Sequence, residues 1–145
     1  MLKHACLCAL LVAATACGGS STSVTAPTSS AWTATAVTTA TYANGILSIG
    51  GADGSSPTRS IGLALSVAGP GAFTMGTLPS AANAVLTIGP GVTWTANILG
   101  GTGTITIAAL SSTAASGTFT FSAIPSTGGA TGNRSVTAGV FNITF

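Results

Sequence analysis

Residues 104–123 read TITIAALSSTAASGTFTFSA. Its two arms, Thr104-Ile105-Thr106-Ile107 and Thr118-Phe119-Thr120-Phe121, alternate threonine with a large apolar residue. Successive side chains of a strand point to opposite faces, so Ile105, Ile107, Phe119 and Phe121 are predicted to share one oily face and the threonines the other. β-Branched and aromatic residues suit such a half-buried surface. The stretch reads as a hairpin with one side in a core.

The same grammar extends in both directions. Asn44-Gly45 between alternating runs is a two-residue hairpin signal, because both central residues need positive φ. Ile61, Leu63, Leu65 and Val67 form an inward row, and Val92, Trp94 and Ala96 form another. Gly69-Pro70-Gly71 and Gly89-Pro90-Gly91 punctuate the runs. Residues 125–132 read as a loose loop, followed by a short strand at 134–137 and a last strand on which Phe141, Ile143 and Phe145 share a face. About nine or ten short strands at this spacing predict an antiparallel β-sandwich or a small soluble barrel, all-β throughout.

The first residues carry an address. Met1-Leu2-Lys3-His4 is followed by a dozen or so uncharged residues, too short for a membrane span of about 20 residues and suited to the apolar region of a signal peptide. Ala14-Thr15-Ala16-Cys17 resembles the lipobox of bacterial lipoproteins, which implies lipidation of Cys17 after removal of residues 1–16. Cys6 and Cys8 would leave with the signal, so Cys17 has no disulfide partner in the mature chain, as an anchor needs none. Residues 17–30 are rich in Gly, Ser and Thr and read as a flexible linker, leaving 31–145 as a single β-domain. Gly18 and Gly19 follow Cys17 with no acidic residue nearby, which favours the outer membrane as the destination.

Charge limits the function further. Once residues 1–16 are gone, the ionisable side chains are Asp53, Arg59, Arg134 and Tyr42, besides Cys17. Nucleic acid requires clustered basic residues, so no nucleic-acid partner is expected. Paired carboxylates and histidine are lacking for acid–base or triad chemistry, and neither a metal site nor a cofactor is expected. The expectation is therefore a protein that is not an enzyme. Gly100-Gly101-Thr102-Gly103 lacks the lysine and following helix of a phosphate loop and reads as a turn. Asp53-Gly54 reads as a turn in which the carboxylate binds the local backbone.

Trp32, Tyr42 and Trp94 are the candidate ligand-binding residues, as an aromatic platform for carbohydrate or peptide. Trp94 alternates in phase with Val92 and Ala96, which favours a core role. The Thr-x-Thr pairs begin at 33, 93, 104 and 118 with unequal gaps, and the solvent face of a sheet accounts for them without a ligand.

Five stretches carry a family resemblance. They are Trp32 after the linker, Asn44-Gly45-Ile46-Leu47-Ser48-Ile49-Gly50, Gly103-Thr104-Ile105-Thr106-Ile107, Gly117-Thr118-Phe119-Thr120-Phe121 and Val136-Thr137-Ala138-Gly139-Val140-Phe141. Together they resemble a family of uncharacterised bacterial lipoproteins with a β-rich domain of unknown function. The resemblance implies a lipidated β-domain and supplies no reaction, ligand or catalytic residue. The resulting expectation is a lipid-anchored domain of the cell envelope with a structural or adhesion role, its membrane contact made through the N-terminal lipid. A ligand-binding module is the alternative, and an outer-membrane β-barrel a lesser one.

Overall fold

The computed structural model describes residues 23–27, 31–78 and 81–145. Cys17, the expected lipidation site, and residues 1–16, the expected signal peptide, lie outside the described residues. Eleven strands are present: β1 (Ser23–Pro27), β2 (Ala31–Thr33), β3 (Ala36–Ala43), β4 (Ile46–Ala52), β5 (Arg59–Ser66), β6 (Gly71–Met75), β7 (Asn83–Ile88), β8 (Val92–Ala96), β9 (Thr102–Leu110), β10 (Ala114–Thr127) and β11 (Arg134–Thr144). Every ladder between them is antiparallel.

β10 joins two sheets. As far as Ala123 it pairs with β9 and β11, in the sheet that continues to β6 on one side and to β1 and β2 on the other. From Ile124 to Thr127 it pairs with β8, the start of the second sheet, β8-β7-β5-β4-β3. The inner faces of both sheets supply one core cluster, with Leu47, Ile61, Leu63 and Leu86 from one and Ile105, Phe119, Phe121 and Phe141 from the other. Of the sandwich and the small barrel expected, the open, two-layered form is observed, with β10 as its fold line. The strand path ends at β2 and β3 without closing among the described residues.

The hairpin at 104–123 sets the register. Ile105 faces Phe119 across the ladder, and Thr106 faces Thr118. Ile105, Phe119 and Phe121 are 0%, 1% and 3% exposed. These side chains form an interior rather than a lipid-facing belt, and each is worth about 1.5–3 kcal/mol of burial. Asn44 and Gly45 take φ of 52° and 74°, as the two-residue turn between β3 and β4 requires.

Glycine does a specific job beside these rings. Phe119 lies directly opposite Gly139, and Phe141 directly opposite Gly117. A Cβ at Gly139 would run into the Phe119 ring, and one at Gly117 into Phe141 and the Thr106 carbonyl. Each ring thus folds over the bare backbone of the neighbouring strand. The sequence suggests only that Gly103 and Gly117 stand at turns or bulges. A bulge does fall at Ser116/Gly117, but Gly103 sits inside β9 against Phe121.

Three features differ from the sequence reading. Residues 125–127 are not loop: β10 continues through Pro125, opposite Trp94. Pro125 lies where β10 has a neighbour on one side only, and an edge position tolerates a missing N–H. The two predicted strands after residue 133 are one, β11, with a bulge opposite Phe119/Phe121. That extra residue reverses the inward phase, so Val136 is buried as well as Phe141 and Ile143, while Phe145 lies past the strand end and is 37% exposed. Finally, Ser23–Pro27, inside the stretch expected to be linker, is a strand, because β11 offers Val140–Asn142 as a partner.

Candidate functional site

The residues singled out from sequence are not gathered in one place. Trp94 is on β8, 4% exposed, and donates its Nε1–H to the Gly132 carbonyl at 2.8 Å. The guanidinium carbon of Arg134 stands 5.1 Å from its ring centroid, a cation–π contact that caps the ring from the solvent side. Tyr42, on edge strand β3, is half-buried and donates its hydroxyl to the Val67 carbonyl at 3.1 Å. Its ring lies 6.1 Å from that of Phe145. Trp32 pairs with Ala26 through its backbone in β2, and its side chain lies outside what is described. Trp94 and Tyr42 therefore share no cleft.

Asp53 is the sole acid of the chain, and its carboxylate is saturated. Oδ1 accepts from the Ser55 N–H at 3.0 Å, the Ser55 hydroxyl at 2.6 Å and the Arg59 N–H at 3.0 Å. Oδ2 accepts from Arg59 Nε at 2.6 Å. The Asp53 side chain is 5% exposed and that of Arg59 28%. Burial pushes the carboxyl up, but the hydrogen bonds from Ser55 and Arg59 outweigh it and hold it well below the usual carboxylate range. A carboxylate so held is a poor proton acceptor at neutral pH, and its work is to clamp the 53–59 loop between β4 and β5. The turn contact to Ser55 matches the sequence reading. Arg59 was missed, although one acid with an arginine six residues on was the signal available.

Two surfaces remain. On the outer face of the β6-β9-β10 sheet, Thr74, Thr104 and Thr120 lie in register across three strands, beside the facing pair Thr106 and Thr118. This is a neutral plane of hydroxyl donors and acceptors. At one end of the sandwich the β8–β9 turn presents Ile98 and Leu99, 55% and 87% exposed, held by Asn97 Oδ1 accepting from the Leu99 N–H at 2.8 Å. A shallow depression of about 340 Å³ adjoins it, lined by Ala81, Ala82, Asn83 and Asn97 with those two side chains. Among the described residues no group of three or more His, Cys, Asp or Glu side chains is placed to hold a metal, and no helix is long and apolar enough to cross a membrane.

The residues that build both surfaces all fall within one family model, which matches residues 26–143. The chain belongs to the DUF6252 family. The family is described as a domain of unknown function, and its span opens within β1 and closes at Ile143, one residue before the end of β11. The DUF6252 match thus takes in β2 to β10 whole, β11 but for its last residue, and the end of β1. No curated protein and no solved structure matches the chain.

Proposed function

We propose that this DUF6252 chain is a lipid-anchored domain of the bacterial cell envelope, held through Cys17 at the outer membrane, with a structural or adhesion role and no catalysis. The observation that carries the reading is the state of Asp53. The one acid available for proton transfer is committed to Ser55 and Arg59, and the outer face of β6, β9 and β10 is a plane of threonine hydroxyls. A recognition surface of that kind works by shape and neutral hydrogen bonding.

The alternative, a carbohydrate- or peptide-binding module, finds support in the hydroxyl plane at Thr104, Thr106, Thr118 and Thr120. Burial of Trp94 weighs against an aromatic cleft as its means.

The anchor is tested by expressing Cys17→Ser beside the native chain in a Gram-negative host. The native chain is expected in the membrane fraction with an acylated N-terminal cysteine by mass spectrometry, and the variant in the soluble periplasmic fraction. Membrane retention of Cys17→Ser, or an unmodified Cys17 in the mature native chain, overturns the tether. Binding of the purified domain to envelope polysaccharide, lost on Thr106→Val with Thr118→Val, would replace the adhesion role with the alternative.

A further inference from the structure

β3 stands at one end of the strand path, and among the described residues its outer side has no ladder partner. The other end strand, β2, covers only Ala31–Thr33, and the edge strand β6 only Gly71–Met75. A sheet edge is a row of unsatisfied N–H and C=O groups, which proteins usually blunt with lysine, proline, a bulge or brevity. β3 reads AVTTATYA; its one bulge lies between Val37 and Thr39, and the regular run Thr39–Ala43 has none of these.

The hairpin decides which backbone groups face outward. Ala43 and Ile46 flank the two-residue turn and exchange hydrogen bonds, and bonded and non-bonded pairs alternate from there. Thr41 with Ser48, and Thr39 with Gly50, are then bonded pairs. Ala40 and Tyr42 consequently aim their N–H and C=O groups away from β4. The Tyr42 ring does not cover them, because its hydroxyl is drawn across to Val67.

We propose that β3 is a self-pairing edge, through which two copies of this chain join antiparallel about a twofold axis at Thr41. Such an axis, perpendicular to the sheet, requires facing residues to point to the same side. Ala40 of one copy then faces Tyr42 of the other, and both are half-buried residues of the inner face. Thr41 faces its own copy on the exposed side, a favourable cross-strand pair. Every outward group of Ala40 and Tyr42 is satisfied in both copies. Charge does not oppose the contact: neither β3 nor β4 carries a charged residue, and the whole chain has one acid and three Lys or Arg, too few to repel a second copy strongly. A foreign partner would have to bring a matching strand, whereas a second copy brings this one in register.

The test uses the full chain with Cys6, Cys8 and Cys17 changed to Ser and Thr41→Cys added. Facing Cα atoms of a non-bonded antiparallel pair lie about 4.5 Å apart, within the span a disulfide accepts. Mild oxidation is expected to give a covalent dimer from Thr41→Cys and not from Ser112→Cys, an exposed control on the β9–β10 turn. The unsubstituted chain is expected to sediment as a dimer. Ala40→Pro, which removes an outward donor while sparing the β3–β4 ladder, is expected to weaken that dimer about tenfold or more. Monomeric sedimentation at the oxidation concentration, or cross-linking at Thr41 no faster than at Ser112, overturns the proposal. So does an Ala40→Pro variant that folds and dimerises as tightly as the original, and if that variant fails to fold, the Thr41→Cys comparison decides.

Discussion

Gly139→Ala tests whether the ring over the glycine, rather than the backbone, excludes a side chain there. Gly139 does not have positive φ, so its conformation admits alanine. A Cβ would nevertheless strike the ring of Phe119. That ring is 1% exposed, stacks on Phe121 with centroids 6.2 Å apart and faces Ile105 on β9, so it has little room to retreat. Overpacking of this kind costs about 1–3 kcal/mol. Replacing a strand glycine returns about 0.5–1 kcal/mol through the unfolded chain, which leaves a net loss of about 1–2 kcal/mol, or roughly 4–8 °C in Tm. Phe119→Ala alone should cost about 3–5 kcal/mol through its cavity. With the ring gone the clash is gone, so Gly139→Ala added to Phe119→Ala should be neutral or stabilising by about 0.5–1 kcal/mol. The cycle therefore predicts a coupling of about 1–3 kcal/mol between the two sites. Urea unfolding followed by circular dichroism and tryptophan fluorescence measures it. If Phe119→Ala leaves too little folded protein, Phe119→Leu serves, with a smaller coupling of the same sign. An equal penalty for Gly139→Ala in both backgrounds refutes the steric argument.

The remaining predictions concern the two polar clamps. Because the folded pKa of Asp53 is depressed, its contribution is present above the ordinary carboxylate pKa and is lost as pH falls, from about pH 5 downward. With no other acidic side chain in the chain, Asp53→Asn should flatten the stability profile between about pH 5 and pH 2, and at neutral pH cost about 1–3 kcal/mol; an unchanged acid limb in denaturant titrations contradicts this. Trp94→Phe keeps the core ring but loses the hydrogen bond to Gly132 and part of the Arg134 contact, for a cost of about 1–2 kcal/mol by circular dichroism. Arg134→Gln should cost at most about 1 kcal/mol, since the cation is exposed.

Much of the fold was legible because burial follows a local rule. The threonine–apolar alternation at 104–107 and 118–121 marked inner and outer faces, and these are the faces observed. Asn44-Gly45 named its own turn. The Asp53 turn was legible for the same reason, since its partner Ser55 is two residues away. Arg59 was harder, as its approach depends on how β4 and β5 are joined.

What local chemistry could not show is which strand lies beside which. Pro125 reads as the start of a loop until β8 is seen alongside it, where a missing N–H is harmless. The bulge in β11 reverses the inward phase between Val136 and Phe141, and no single-strand pattern anticipates a register slip made by a partner.

Sequence alone determined the class of fold, the faces of most strands and the poverty of charge, since alternation and composition act residue by residue. The tertiary structure decided that β10 serves two sheets, that Phe119 and Phe141 lie over glycines of each other's strand, and that β3 is an edge among the described residues. Those outcomes rest on contacts between residues far apart in the chain, which only the packed whole brings together.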